Sequence, residues 1–528
     1  MAGSSSSGSP KLMPRGLTLS DLPVDSLDKC SEFFQIVVFG ASGDLAARKI
    51  YPALFDLFET GLLGSCFYIV GYARTEKSLE DFHRHISRFL PKLEEGAVAE
   101  SGTATAPATS GKKKETNHAA VRQEFLERCF YVHGQYDNSG DIESLKEFLD
   151  SHAPPDMPLN RLFYLSLPPN IFNVISELVG EILRSKRGWN RLVVEKPLGR
   201  DTDSSRELSA CLAENFREEE IYRMDHYLGK EVVQNLLVLR FANLIFDPLW
   251  NRGYVNNVQI ILKEELGVEG RGGYFDSYGI IRDVMQNHMM QVLALIAMEP
   301  PVSLQADDVR NEKLKVLKCI KPIKREDFVV GQYSSKKIGG VEHPGYRDDP
   351  TVASDSITPT FAATVLHVCN RRWDGVPFLL KCGKGLDEKL FEIRVQFSTV
   401  PGNLYSTFTN ELIIRVQPDE GIHFKVTTKA PGIQANLRET PLNMQYKSRF
   451  NMHIPDAYVR LIYEALIGDQ RNFIREDELD EAWKIFTPVL QDLEREQIEP
   501  DRYPFGSRGP VEAEYLAAKF KCKWAEGQ

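Results

Sequence analysis

The sequence has little cysteine, no long apolar run and no excess of positive charge. Its eight cysteines occur singly, without a Cys-x-x-Cys pair, which excludes a disulfide-stapled fold and a zinc finger and predicts that most of the thiols are reduced. The longest strongly apolar run, residues 292–298, is far shorter than the roughly 20 residues of a membrane-spanning helix. The net charge of −10 disfavours non-specific binding to nucleic acid or to a membrane surface.

The composition is that of a folded protein with several domains. The chain has 528 residues, of which 42% are hydrophobic and 26% charged, and its 29 Phe, 19 Tyr and 5 Trp exclude disorder throughout. Residues 1–30 are rich in serine and predict a flexible N-terminal tail, and residues 94–114 are small and polar and predict a mobile insertion. The tail lacks the apolar core of a secretory signal, so we expect a cytoplasmic protein, with a transit peptide as the alternative.

The order of apolar and helical segments divides the chain near residue 225. Before it, short apolar runs alternate with helical stretches, which predicts a parallel sheet covered on both faces. The predicted strands are 33–39, 67–72, 129–132, 162–167 and 192–194, and the predicted helices are 44–59, 142–149 and 171–183. After it, helices at 230–246 and 278–298 accompany strands at 257–263, 361–368, 392–397, 411–416 and 423–428. This second pattern predicts an α+β domain with a large, mainly antiparallel sheet.

A glycine-rich turn follows the first strand and opens the first helix. Gly40 permits a tight turn, and Gly43 lets the backbone approach a pyrophosphate, which the N–H groups at the helix start attract. The pattern indicates a Rossmann-type dinucleotide site, with an ordinary strand–helix turn as the alternative. Its cofactor-binding residues are predicted to be Gly40, Ala41, Ser42, Gly43, Asp44 and Leu45.

Arg74 ends the second strand, where an enzyme specific for NAD places an acidic residue on the ribose. An arginine at this position can pair with the 2′-phosphate of NADP instead. The alternative is a solvated surface arginine. The residue therefore favours NADP as the coenzyme.

Two further segments carry groups suited to catalysis. Residues 222–231 (YRMDHYLGKE) place an acid, an imidazole, a phenol and an amine near the domain boundary, where ligand sites are common; the alternative is an exposed polar turn. His288 lies in an apolar helix, and an α-helix would separate it from Asp283 by about 140°. A partner for His288 must therefore come from another segment. Lys196 follows a predicted parallel strand, at the end where such sheets bind ligands.

The sequence resembles the glucose-6-phosphate dehydrogenase family from about residue 33 almost to its end. The resemblance rests on blocks in one order, among them GASGDLA (40–46), GYAR (71–74), WNRLVVEKPLGRD (189–201), YRMDHYLGKE (222–231), EGRGGYFDSYGIIRDVMQNH (269–288) and DAYVRLI (456–462). It implies a Rossmann-type NADP-binding domain at 31–225 and a substrate and oligomerisation domain at 226–528. The implied reaction oxidises glucose 6-phosphate at C1 to 6-phosphogluconolactone, the first step of the oxidative pentose phosphate pathway, in a dimer or tetramer without a metal.

The same resemblance implies a role for each matching residue. His288 is implied as the general base and Asp225 as the carboxylate that orients it. Lys196 is implied to lie between substrate and coenzyme. The motif His226, Tyr227 and Lys230 is implied to bind the substrate, with His226 and Tyr227 on the 6-phosphate. Glu264 and Asp283 are implied to bind the sugar hydroxyls, and Lys384 and Gln417 are implied as outer contacts. Lys389 is a further predicted substrate contact.

Some positions depart from the family pattern. Certain members bind a second, structural NADP, and Arg394, Arg415, Lys425, Arg508 and Trp524 match its contacts. Lys381 and Leu390 replace an arginine and a lysine there, so we expect a second nucleotide to bind weakly. Two alternatives to the implied activity remain, a catalytically silent NADP-binding regulator and an oxidoreductase for another phosphosugar such as 6-phosphogluconate.

Overall fold

The computed structural model describes residues 32–91, 118–402, 404–405, 408–450 and 454–525. The predicted tail at 1–30 and the predicted insertion at 94–114 lie outside these ranges. Within the described ranges, no helix combines the length and apolarity needed to cross a bilayer. Six of the eight cysteines are free thiols, as the composition predicts, whereas Cys66 is disulfide-bonded.

A seven-stranded sheet forms the core of the first half of the chain. Its strands are β1 (Phe33–Phe39), β2 (Phe67–Ala73), β3 (Cys129–His133), β4 (Leu159–Leu165), β5 (Asn190–Val194), β6 (Ile221–Met224) and, from much later in the chain, β17 (Phe473–Ile474). The order is β17-β6-β5-β4-β1-β2-β3, with parallel pairing except at β17. All seven residues of β1 are buried, because a parallel sheet is covered on both faces.

A nine-stranded sheet dominates the second half. It contains β7 (Val255–Lys263), β8 (Phe328–Ser334), β11 (Phe361–His367), β12 (Pro377–Gly383), β13 (Leu390–Phe397), β14 (Glu411–Gln417), β15 (Gly421–Lys429), β16 (Leu437–Gln445) and β18 (Asp501–Pro504), while β9 (Lys336–Ile338) and β10 (Val341–His343) form a separate hairpin. Two of its pairings, β12 with β7 and β18 with β8, are parallel, and the others are antiparallel. The predicted fold class, an α/β domain followed by an α+β domain with a large antiparallel sheet, is confirmed.

Helices cover the sheets and fill the space between them. They are α1 (Tyr51–Glu59), α2 (Leu79–Ser87), α3 (His118–Glu127), α4 (Ser139–Ser151), α5 (Phe172–Leu178), α6 (Thr202–Asn215), α7 (Glu231–Phe241), α8 (Gly272–Asp276), α9 (Met290–Ala297), α10 (Ala306–Lys318), α11 (Tyr446–Phe450), α12 (Ala457–Ile467), α13 (Glu476–Arg495) and α14 (Glu512–Lys519). Three π-helical segments, Ala46–Ile50, Val179–Leu183 and Ile281–Met289, continue directly into or out of α-helices.

Two helices differ from the sequence prediction. The helix predicted at 230–246 ends at Phe241, because Asn243 folds its side chain back onto the carbonyls of Val238 and Leu239. The helix predicted at 278–298 is π-helical over Ile281–Met289 and becomes α-helical only from Met290. The α-helical period on which the sequence prediction relied therefore does not apply to the segment that carries His288.

The C-terminal part of the chain returns to the first sheet. α12 packs on α1, and Tyr458, Leu461 and Ile462 share a buried apolar cluster with residues of β1 and β2. β17 then extends the sheet by pairing with β6, the strand that precedes residues 225–230. Residues from both halves of the chain are thereby fixed around the end of β6.

Candidate active site

The glycine-rich turn lies at the point where the strand order of the first sheet reverses. From β1 the chain runs outward to β2 and β3, and it returns to β4 on the other side of β1. Gly40 has φ +78°, and a Cβ atom there would lie 2.1 Å from the carbonyl oxygen of Ser166, which follows β4. Only glycine fits, so the backbone keeps an open cradle at the ligand-binding edge of the sheet. This geometry fits the pyrophosphate of a dinucleotide.

Arg74 lies beside this turn at the end of β2. Its guanidinium is exposed and stands over the ring of Tyr136, 5.5 Å from the centroid. The Tyr136 side chain is buried against the backbone of Arg74 and Gly40, and burial raises the pKa of its phenol. Tyr136 thus directs the arginine toward the turn, a contact that sequence reasoning missed because Tyr136 belongs to a loop without a motif.

The π-helical segment Ile281–Met289 carries both Asp283 and His288. In a π-helix, residues five apart stand roughly above one another, whereas an α-helix would turn them apart. Both side chains therefore face the space between the two sheets, and Asp283 acts electrostatically on His288. The sequence prediction separated them because it assumed α-helical geometry.

His288 has the partner that the sequence required from elsewhere. Its Nδ1 lies 2.5 Å from Oδ1 of Asp225, which directly follows β6, and each side chain is 2% exposed. Burial would raise the pKa of Asp225, but the neighbouring His288 outweighs it and lowers this pKa to about 2. Burial lowers the pKa of His288 below its usual value, against the opposing charge of Asp225. The pair is therefore a carboxylate holding a neutral imidazole, and the imidazole Nε2 is left to accept a proton.

Three aromatic side chains surround His226, the residue that directly follows Asp225. Its ring lies 4.7 Å from the rings of His288 and Tyr227 and stacks on Tyr458 of α12 at 5.8 Å. Burial lowers the pKa of His226 well below its usual value, and the positively charged Lys196 and Lys230 act in the same direction. Residues 225–227 are thus packed into the domain boundary, and the alternative of an exposed polar turn is excluded.

A chain of ion pairs lies beside this cluster. The Lys196 ammonium donates to the Asp283 carbonyl at 2.8 Å and to its carboxylate at 3.0 Å. Burial opposes both charges, but their attraction outweighs it, raising the pKa of Lys196 and lowering that of Asp283. Lys384 pairs with Glu264 and lies 3.8 Å from Asp283. Four predicted substrate residues, Lys196, Glu264, Asp283 and Lys384, therefore converge on one wall.

The other predicted contacts lie at the end of the site opposite this wall; they are Lys230, Tyr227, Gln417 and Lys389. The Lys230 ammonium lies 5.3 Å from the centroid of the Tyr227 ring, and burial lowers its pKa. The Tyr227 side chain interacts with Gln417 at the end of β14. Lys389 is exposed but close enough for its charge to act on Lys230. The structure thus brings all the predicted substrate residues to one region.

An open cavity of about 690 Å³ joins the turn after β1 to this region. Its lining includes Leu45 from the turn, Lys196, Glu264, Asp283, Lys384 and two residues that sequence reasoning missed, Glu195 and Tyr458. Glu195 stands in the VEKP block and Tyr458 in the DAYVRLI block, but neither pattern shows that they meet. The volume suits a small-molecule ligand.

Most of the residues matched to a second nucleotide lie on strands β12 to β15 of the large sheet. Leu390 is 4% exposed, so it points into the core. The Lys381 ammonium lies 4.4 Å above the Trp524 ring, and burial lowers its pKa to about 8. Arg394 and Arg415 both bond to the Glu392 carboxylate. Weak binding of a second nucleotide stays a prediction.

Comparison with known proteins gives one consistent result. Residues 37–235 match the family model described as glucose-6-phosphate dehydrogenase, NAD binding domain, and residues 237–525 match its C-terminal domain model. The chain is 50% identical to the chloroplastic glucose-6-phosphate 1-dehydrogenase 1 of Arabidopsis thaliana over 96% of this chain and 86% of that one, and 47% identical to glucose-6-phosphate 1-dehydrogenase of Dictyostelium discoideum over 92% and 94%.

A solved structure agrees with these relatives. It shows a glucose-6-phosphate dehydrogenase in complex with its substrate glucose-6-phosphate and superposes with a TM-score of 0.85 at 42% identity. The match covers 94% of this chain and 99% of that one.

Proposed function

This chain belongs to the glucose-6-phosphate dehydrogenase family, and we propose that it performs the reaction of that family with the residues assembled around His288. It oxidises glucose 6-phosphate at C1 to 6-phospho-D-glucono-1,5-lactone and reduces NADP⁺ to NADPH, the first step of the oxidative pentose phosphate pathway. The observation that supports this role of the site most directly is the Asp225–His288 pair, which lies behind Lys196 and Asp283, two residues of the wall of the cavity that reaches the dinucleotide turn.

The oxidation requires removal of a hydride from C1 and of a proton from the hydroxyl group on C1. Residues 40–45 would hold NADP⁺, which would supply the hydride acceptor. His288 takes the proton of the C1 hydroxyl on its Nε2, because Asp225 holds the other ring nitrogen and stabilises the imidazolium that forms. His226 and Tyr227 bind the 6-phosphate together with Lys230, and Glu264 and Asp283 bind sugar hydroxyls. Lys196 stands between the sugar and the coenzyme.

An assay of NADPH absorbance with purified protein tests this function. Glucose 6-phosphate should give NADPH and 6-phosphogluconate should not. NADPH formation from 6-phosphogluconate alone would support the alternative substrate. Coenzyme binding without turnover on either compound would show a silent regulator, although the intact Asp225 and His288 pair argues against it.

Arg74 tests the coenzyme assignment. Arg74→Ala should lower kcat/KM for NADP⁺ by about 10- to 150-fold, because the charge-assisted hydrogen bond to the 2′-phosphate is lost. NAD⁺ lacks this phosphate, so its kcat/KM should stay within about twofold. Arg74→Lys keeps the charge and should recover part of the loss. An equal loss with both coenzymes would assign Arg74 a structural role through Tyr136.

Lys230 tests the phosphate end of the substrate site. Lys230→Ala should raise KM for glucose 6-phosphate by about 10- to 150-fold, because a half-buried ammonium no longer meets the phosphate. Lys389→Ala is the matched comparison and should raise it less, because Lys389 is exposed and screened by water. Steady-state kinetics at saturating NADP⁺ measures both; an unchanged KM in Lys230→Ala contradicts the contact.

The family and the surface support a proposal for the assembly of the chain, and its cysteines support one for its location. We propose a homodimer or homotetramer built by the domain at 226–528, which the exposed edge strand β16, with Leu442 57% exposed, supports. Light scattering of the full chain measures the mass directly, and a monomer at micromolar concentration contradicts the proposal. We also propose a cytoplasmic location, which the six free cysteines support, whereas the disulfide-bonded Cys66 argues against it. Microscopy of a C-terminal fluorescent fusion decides between cytoplasm and a plastid.

A further inference from the structure

A buried carboxyl group stands at the end of β5 without a role in the chemistry described above. Glu195 is 5% exposed and lines the cavity beside Lys196. Burial raises the pKa of Glu195 to about 7, although the Tyr164 phenol and the charge of Lys196 act against this rise. Burying a carboxylate is costly unless hydrogen bonds compensate it, so its partners show what it holds in place.

Two tyrosines from different parts of the chain converge on this carboxylate. Tyr164, on the neighbouring strand β4, donates its hydroxyl to Oε1 of Glu195 at 2.6 Å. The Tyr458 side chain, on α12, lines the same cavity as Glu195, and burial together with the nearby Glu195 carboxylate raises the pKa of its phenol. Glu195 therefore ties the coenzyme-domain sheet to a helix that arrives from the C-terminal part of the chain.

Tyr458 also contacts His226, which lies at the phosphate end of the substrate site. Its side chain is 7% exposed, and its ring is nearly parallel to that of His226, with an interplanar angle of 17° and 5.8 Å between centroids. The start of α12 is held separately, because its N-cap residue Asp456 accepts from the Lys49 ammonium at 2.9 Å. The nearby Glu195 carboxylate thus acts on the orientation of the Tyr458 ring rather than on the attachment of the helix.

We propose that Glu195 is a positioning residue that orients His226 through Tyr458 and so sets the affinity for the 6-phosphate of the substrate. The inference rests on the proposed function, which assigns the 6-phosphate to His226. Removal of the carboxylate frees the Tyr458 ring, and the imidazole stacked on it loses its fixed direction. Binding of glucose 6-phosphate weakens, while the proton transfer by His288 and the binding of NADP⁺ do not depend on this link.

Three variants test the link in the full chain. Glu195→Gln keeps the shape but removes the charge that acts on both phenols. Tyr458→Phe removes one hydroxyl and keeps the stacked ring, and the double variant combines the two changes. Tyr446→Phe is the control, because Tyr446 is also buried and also loses one hydrogen bond, to Asn235, away from the cavity. KM for glucose 6-phosphate, KM for NADP⁺, kcat and the melting temperature are measured for each.

Each single variant should raise KM for glucose 6-phosphate by about 5- to 20-fold, with kcat and KM for NADP⁺ within about threefold. The double variant should match the larger single effect, because both changes break one link. The control should lower only the melting temperature. Effects on KM for glucose 6-phosphate that multiply in the double variant would overturn the proposal. An equal rise in KM for NADP⁺, acting through the neighbouring Lys196, would also overturn it. A wild-type chain that does not oxidise glucose 6-phosphate would instead refute the proposed function.

Discussion

His288→Asn should lower kcat by about 10²- to 10⁴-fold while the dissociation constant for glucose 6-phosphate changes only several-fold. The asparagine cannot accept the hydroxyl proton, whereas the groups proposed for the 6-phosphate, His226, Tyr227 and Lys230, stay in place. Steady-state kinetics gives kcat, and calorimetry on the protein without coenzyme gives the dissociation constant.

The control for this variant is the same chemical change outside the site. His367 lies on β11 and its ring packs on Phe520, so His367→Asn should leave kcat within about twofold. A His288→Asn protein with near-normal turnover would show that another group removes the proton. A loss confined to substrate binding would show that His288 only shapes the site.

Asp225→Asn should lower kcat/KM by about 10- to 1,000-fold and also shift its dependence on pH. The wild-type value should fall as the pH drops through the pKa of His288, which lies below 6.5, because the protonated imidazole cannot act as a base. Asp225 is the negative charge that raises this pKa against burial. Its removal lowers the pKa further, so the acidic limb should move to lower pH while the plateau falls.

The direction of this shift separates two roles of the carboxylate. If the plateau of kcat/KM falls while the acidic limb of its pH profile does not move, Asp225 only orients the ring. An acidic limb that moves to higher pH would contradict the electrostatic role altogether. Asp225→Glu keeps the charge but not the 2.5 Å geometry, so it should keep the limb and lose part of the rate.

The sequence alone determined the elements whose signal is local. The buried run Phe33–Phe39 and the glycines after it fix the first strand and the nucleotide turn, because strand period, turn and helix start all lie within one short segment. Alternation of strands with helices, and later of strands with turns, likewise fixes the two sheet types. The family blocks then pointed to the residues around His288, although their individual roles stay proposals.

Only the tertiary structure decided which side chains meet. Asp225 and His288 are 63 positions apart, and Glu195 and Tyr458 still further, so their contacts depend on how β5, β6, the π-helical segment and α12 pack. The apolar spacing did not reveal the π-helix, because the segment Ile281–Met289 continues without a break into the helix Met290–Ala297, which is buried on every face and therefore shows no period. The spacing of apolar residues along the sequence reflects the hydrogen bonding within one helix or strand. An active site consists of contacts between such elements, which only their packing creates.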